Sequence, residues 1–110
     1  MEKLLNQYDI DGSRQGYWKI MASATRIAAE GLYIDGKRQG IWKEYNPKGY
    51  LDGQGNYKDH NRNGYWEFYS STGSGEITIK GKYKNNFQIG LWQYFHINPC
   101  RLTKEVIHIF

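Results

Sequence analysis

The feature that most constrains this chain is a four-fold internal repeat. Gly16-Tyr17-Trp18, Gly40-Ile41-Trp42, Gly64-Tyr65-Trp66 and Gly90-Leu91-Trp92 share one pattern at spacings of 24, 24 and 26 residues, and they use all four tryptophans of the 110-residue chain. Such a period means that one supersecondary unit is built repeatedly and that neighbours must stack to bury a core. Nine residues before three of these glycines stands another glycine with a tyrosine two places on: Gly31 and Tyr33, Gly55 and Tyr57, Gly81 and Tyr83. The first copy aligns with one extra residue, because Ile10-Asp11-Gly12-Ser13-Arg14-Gln15-Gly16 nearly duplicates Ile34-Asp35-Gly36-Lys37-Arg38-Gln39-Gly40.

Each copy carries two turn signals, Asp35-Gly36 and Asn46-Pro47-Lys48-Gly49 in the second copy, and the unit therefore predicts a β-hairpin. The third copy repeats them at 58–63 and 70–75, where two added residues account for the longer spacing. Strands are expected near 6–11, 16–22, 26–35, 40–46, 50–58, 64–70, 76–84, 90–96 and 101–109. The alanine-rich segment 20–30 competes as a helix, but aligned on its neighbours it reads as the same turn and strand. The expected fold is all-β: an elongated single-layer antiparallel β-sheet meander of about four tandem hairpin repeats. It forms one domain over 1–110, with repeats near 6–30, 31–54, 55–80 and 81–110, the last including a C-terminal capping strand.

Composition matters here because a thin sheet must still bury enough. Leu, Ile, Val and Phe number only 22 of 110 residues, at the margin where disorder becomes a fair expectation. Eighteen aromatic residues, each able to bury about 150–250 Å², overturn it. Successive strand residues point to opposite faces. Trp18, Trp42, Trp66 and Trp92 thus share a face with Ile20, Glu44, Phe68 and Tyr94, while Tyr17, Ile41, Tyr65 and Leu91 share the other with Met21, Tyr45, Tyr69 and Phe95. Alternation groups these residues and leaves open which face is covered. The strand glycines at 31, 55 and 81 suggest room cleared for a large ring from the neighbouring strand.

The segments 36–49 (Gly-Lys-Arg-Gln-Gly-Ile-Trp-Lys-Glu-Tyr-Asn-Pro-Lys-Gly) and 81–95 (Gly-Lys-Tyr-Lys-Asn-Asn-Phe-Gln-Ile-Gly-Leu-Trp-Gln-Tyr-Phe) resemble MORN repeats, in the variant form of small bacterial and phage proteins. The resemblance covers about residues 8–97. It implies successive hairpins in one curved antiparallel sheet and a non-catalytic role in binding proteins or anionic lipids, and bacterial relatives of this kind are often labelled antitoxin-like. The chain departs from the pattern at 21–30 and after Pro99. Those ends read as caps, with 106–110 as a final covering strand.

No catalytic, cofactor or metal site is expected. His60, His96 and His108 fall at unrelated repeat positions, and no pair of them has metal-ligand spacing; each reads as a surface or edge residue. Gly53-Gln54-Gly55 lacks the lysine and helix of a phosphate loop, and the serines and threonines at 70–74 lack a base and an orienting acid. Cys100 is the sole cysteine and is expected to be a partly buried free thiol in a reducing compartment. Residues 1–6 lack the apolar core of a secretory signal, and no window approaches 18 apolar residues, so no transmembrane segment is expected and the location is read as cytoplasmic.

The net charge is +4. Arg14, Arg38 and Arg62 occupy the same place, two residues before the Gly-x-Trp glycine, and Gln88 replaces them in the fourth copy. Equivalent turns lie two strands apart, roughly 9–10 Å, so the arginines are expected as a row along one long edge, near Lys37, Lys58, Lys82 and Lys84. At about one Debye length the field of such a row adds near the surface.

The functional reading is a protein-binding module, acting as an inhibitor, an immunity or antitoxin-like factor, or an accessory subunit of a bacterial or phage system. Tyr, Trp and Arg dominate interface energetics, and one layer of sheet leaves a face of large apolar side chains to be met by a partner. The candidate partner-binding residues are Tyr17, Ile41, Tyr65, Tyr69, Arg14, Arg38 and Arg62. Self-association as a homodimer through the face or an edge strand belongs to the same reading. The alternative is binding of an anionic surface, acidic lipid or nucleic acid, through the arginine row.

Overall fold

A computed structural model describes residues 4–96 and 101–109. Nine strands follow one another in chain order across a single antiparallel sheet: β1 (Gln7–Tyr8), β2 (Arg14–Met21), β3 (Ile27–Ile34), β4 (Lys37–Tyr45), β5 (Leu51–Lys58), β6 (Asn61–Tyr69), β7 (Ile77–Lys84), β8 (Phe87–His96) and β9 (Arg101–His108). The molecule is elongated, 49 × 35 × 24 Å. Segment 20–30 is strand, turn and strand, and no helix of the described residues is long and apolar enough to cross a membrane. Cys100, Pro99 and Phe110 lie outside the described residues.

The expected order of strands holds, but three of them begin three residues earlier than expected, at Lys37, Asn61 and Phe87. The turns are tighter than the sequence suggests. Asp35-Gly36, Asp59-His60 and Asn85-Asn86 each hold positive φ at both residues, as two-residue hairpin turns of the right-handed sheet require. The Gly-x-Trp glycine is not part of a turn; Gly40, at φ +71°, sits inside β4 at a bulge. Glu30 faces Lys43 and Leu32 faces Gln39, so two extra residues of β4 are gathered opposite Gly31. The same step separates Gly55/Trp66 from Tyr57/Arg62, and Lys80/Gln93 from Lys82/Ile89. Strand β1, expected over 6–11, shrinks to two residues because a five-residue loop follows it.

Each bulge swings a tryptophan back across the preceding strand. A side chain at Gly55 would place its Cβ 2.2 Å from the Trp66 ring, and Gly31 and Gly81 stand equally close under Trp42 and Trp92. The indole nitrogens of Trp42, Trp66 and Trp92 donate to the carbonyls of Leu32, Asn56 and Lys82, at 3.0, 2.8 and 3.0 Å, so no buried polar atom of these rings is left unpaired. These three tryptophans are fully buried in a sheet with no second layer.

The cover comes from the repeat's own tyrosines. Tyr8, Trp18, Tyr33, Trp42, Tyr57, Trp66, Tyr83, Trp92 and His108 form one chain of edge-to-face contacts, with ring centroids 5.0–6.4 Å apart and interplanar angles of 74–87°. Such pairs contribute about 0.5–1.5 kcal/mol each beyond the area they bury. His108 takes the last tyrosine position on β9, and its buried Nε2 has no hydrogen-bond partner. It is a half-buried residue of the edge strand, as the sequence suggested, and it closes the aromatic chain against Trp92.

Successive repeats are also fastened at the turns. Gly36, His60 and Asn86 donate their backbone N–H to the carbonyls of Arg14, Arg38 and Arg62 at 3.0, 3.0 and 2.9 Å. Gln15 and Gln39 reach the turn carboxylates of Asp35 and Asp59 at 2.7 Å. At the first edge the side chain of Asn6 accepts from Lys19 N–H at 2.8 Å and donates to Lys19 C=O, standing in for a strand residue.

Candidate functional site

The two faces have opposite fates, and the face opposite the tryptophans is the candidate site. Its first row follows the bulges: Tyr17, Leu32, Ile41, Tyr65, Leu91 and Ile107. Tyr17 pairs Leu32 across β2 and β3, and Leu91 pairs Ile107 across β8 and β9. Ile41 is 60% exposed, Leu91 48% and Tyr65 45%, in a chain whose tryptophans are at or near zero. Two shallow open depressions lie along this row: one of about 350 Å³ between Ile41 and Tyr65, the other of about 460 Å³ between Tyr65 and Leu91.

Beside that row a polar ladder crosses the sheet. Lys19, Glu30, Lys43, Gln54, Glu67, Lys80, Gln93 and Glu105 are cross-strand neighbours in succession from β2 to β9. Two carboxylates of the ladder organise tyrosines from both sides. Tyr17 donates to Glu30 at 2.5 Å and Tyr45 donates to it at 2.7 Å. Tyr65 donates to Glu67 at 2.9 Å, Tyr69 also donates to Glu67, and Gln54 donates to the Tyr69 hydroxyl at 2.6 Å.

These bonds act on ionisation. Partial burial, the hydrogen bond to Glu30 and its charge push the Tyr17 hydroxyl up from 10 to about 12. Burial and Glu67 do the same for Tyr65 and Tyr69, each to about 12, although the bond from Gln54 opposes the shift at Tyr69. Burial pushes Glu30 up, but the hydroxyls of Tyr17 and Tyr45 and the charges of Lys19 and Lys43 outweigh it and hold the carboxyl below its ordinary value. Tyrosines that are amphipathic, held in one rotamer by a carboxylate and neutral at physiological pH suit recognition at low entropic cost.

Of the candidate residues, Tyr17, Ile41, Tyr65 and Tyr69 all fall on this face. The arginines do not. Arg14, Arg38 and Arg62 form a row, but it lies on the tryptophan face rather than free at the sheet's edge. Their guanidinium carbons stand 4.6, 4.4 and 4.4 Å from the ring centres of Trp18, Trp42 and Trp66. Arg14 donates to the Tyr33 hydroxyl at 3.0 Å and Arg62 to that of Tyr83 at 3.3 Å. Arg62 also pairs with Glu44 at 2.9 Å. Burial pulls the Arg38 and Arg62 guanidinium groups down, but tyrosine hydroxyls, and for Arg62 the charge of Glu44, hold both above their usual value.

Sequence reasoning passed over the ladder, and its signal was available: Lys19, Lys43 and Glu67 each follow a Gly-x-Trp by one residue, so they alternate onto the face opposite the tryptophan. The same parity puts each arginine, four residues before a tryptophan, on the tryptophan's own side. No protein-family model matches this chain, and no curated protein or solved structure matches it.

Proposed function

We propose that this protein works by binding another protein through the tyrosine face, without chemistry of its own. The observation that carries the reading is the row Ile41, Tyr65 and Leu91, large side chains about half exposed on a sheet whose other face covers itself. Asn56 and Lys82 stand between these three side chains on the row, and exposed large apolar groups interspersed with polar ones mark interaction surfaces; tyrosines prealigned by Glu30 and Glu67 are the adaptable anchors that such surfaces use. The resemblance to variant MORN repeats supports the same reading, and with it a role as an inhibitor, an immunity or antitoxin-like factor, or an accessory subunit of a bacterial or phage system in the cytoplasm. The anionic-surface alternative draws less support, because the guanidinium groups it needs are stacked on tryptophan and bonded to tyrosine.

The test is affinity purification from the native host with the wild-type chain and with Ile41→Glu and Tyr65→Ala as paired baits. One stoichiometric partner, lost with both variants while Arg38→Gln retains it, is the expected result. Recovery that depends on Arg38 and not on Ile41 or Tyr65 would move the binding site to the arginine row.

A further inference from the structure

The polar ladder has a property that the repeat does not confer. Positions three residues after each bulge glycine are equivalent, yet they hold Lys19, Lys43, Glu67 and Gln93; positions before each strand glycine hold Glu30, Gln54 and Lys80. Strict repetition would keep one charge along each series. Here the sign inverts about Gln54. Counted outward strand by strand, Lys43 is answered by Glu67 and Glu30 by Lys80, while Lys19, three strands out, is matched with the neutral Gln93. Gln54 stands on β5, the middle strand of nine.

A two-fold axis above Gln54, within about 15° of the direction of β5, superposes this pattern on its own complement. It lays β4 of one copy over β6 of the other, so Lys43 meets the second copy's Glu67 and Glu30 meets its Lys80, each contact occurring twice. The apolar row obeys the same operation: Ile41 meets Tyr65, and the depression between Ile41 and Tyr65 lies at the axis. Isologous contacts of this kind close after two copies. Facing sheets pack about 10 Å apart with strands crossing at about 30°. Residues one strand from the axis are thereby displaced by roughly 2.5 Å and those two strands away by roughly 5 Å, within reach of a lysine side chain. Opposite charges also alternate along the ladder within one chain, but among the described residues no ladder lysine has an ion pair within 4 Å. The carboxylates of Glu30 and Glu67 are held by tyrosines and Lys80 lies over the Phe95 ring at 5.4 Å, while Lys43, which acts on Glu30 only through its field, has no ion pair to give up to a partner.

We propose that a second copy of this chain covers the tyrosine face, as a face-to-face homodimer whose two-fold axis runs along β5 over Gln54. The proposal rests on the reading of this face as a protein-binding surface and names its occupant. Sedimentation analysis of wild type, Lys43→Glu and Glu67→Lys, with circular dichroism as the check on folding, tests it. Wild type is expected to dimerise and to weaken with salt, each single variant to lose affinity roughly tenfold or more through two like-charge contacts, and the two variants mixed to form a 1:1 heterodimer. Should Glu67→Lys fail to fold, Gln54→Cys in a Cys100→Ser background supplies the second readout: a short bismaleimide links two folded chains at the axis. A wild-type dimer unaffected by Lys43→Glu and not linked through position 54 overturns the proposal, as pairing through β9 would produce. A wild type monomeric at millimolar concentration overturns it too, while loss of the host partner with Ile41→Glu would leave the protein-binding reading standing.

Discussion

The two faces of the sheet carry the same residue types, aromatic rings with interspersed charges, yet the tryptophan face buries itself and the tyrosine face does not. The difference lies in the bulge. Two extra residues opposite Gly31, Asn56 and Gly81 tip the next tryptophan flat across a strand glycine with no side chain in the way, and a tyrosine edge closes over it, joined by a guanidinium at Trp42 and Trp66. On the other side tyrosines stand up from the sheet and spend their hydroxyls on Glu30 and Glu67. A single-layer protein thus needs no second layer where rings can lie down, and it retains a sticky surface where they stand.

The largest effect should come from breaking the tiled face. Trp66→Ala is expected to cost about 3–5 kcal/mol, and Gly55→Ala about 1–3 kcal/mol because its Cβ collides with the ring. Both are measurable as lowered denaturation midpoints. An unchanged midpoint for Gly55→Ala would mean that the ring does not lie over that glycine. Next in size is Arg62→Ala, which removes a desolvated cation–ring contact and leaves Glu44 without its cation, at about 1–2 kcal/mol. An Arg62→Ala chain as stable as wild type would show the guanidinium to be free.

Ionisation sharpens the comparison on the other face. Because folding raises the pKa of Tyr17, Tyr65 and Tyr69, their bonds contribute fully below pH 10 and that contribution is lost as pH rises toward about 12. Absorbance titration should resolve these tyrosines ionising near pH 12, and Glu30→Gln should return Tyr17 toward 10. Glu30 works with the opposite sign. Its lowered pKa contributes above the ordinary carboxylate value and is lost as pH falls through the folded one, so Glu30→Gln should flatten the acid limb of stability. The smallest effect belongs to Ile41→Ser. With 60% of the side chain already in water, the folded monomer should change by within about 0.5 kcal/mol, and a cost of several kcal/mol would show that this face is core.

The hairpins, their order and the grouping of residues by face were legible from the repeat alone, because glycine, aspartate and tryptophan fall at fixed intervals. The starts of β4, β6 and β8 were not. A glycine at positive φ reads equally as a turn or a bulge, and only the pairing of Tyr33 with Arg38 and Glu30 with Lys43 decides between them. Which face is covered was also beyond alternation, since both faces carry rings of similar size and the choice depends on where the bulge turns Trp42. The arginine row was half legible: its spacing followed from the repeat, but its place over the tryptophans required parity to be applied across the bulge.

The last tooth of the aromatic chain differs from the others. Tyr33 and Tyr57 are paired across the next strand with Arg38 and Arg62, whereas Tyr83 keeps Arg62 on one side and has Gln88 on the other, and His108 sets an unbonded nitrogen against Trp92. In an array held only by neighbours, unfolding begins at its weakest junction. Apart from the two-residue β1, the molecule therefore has a direction of opening: β9 should peel away before the other long strands, with amide exchange there running well ahead of β4 to β6. Equal protection across all strands would instead mark a sheet that opens as one unit.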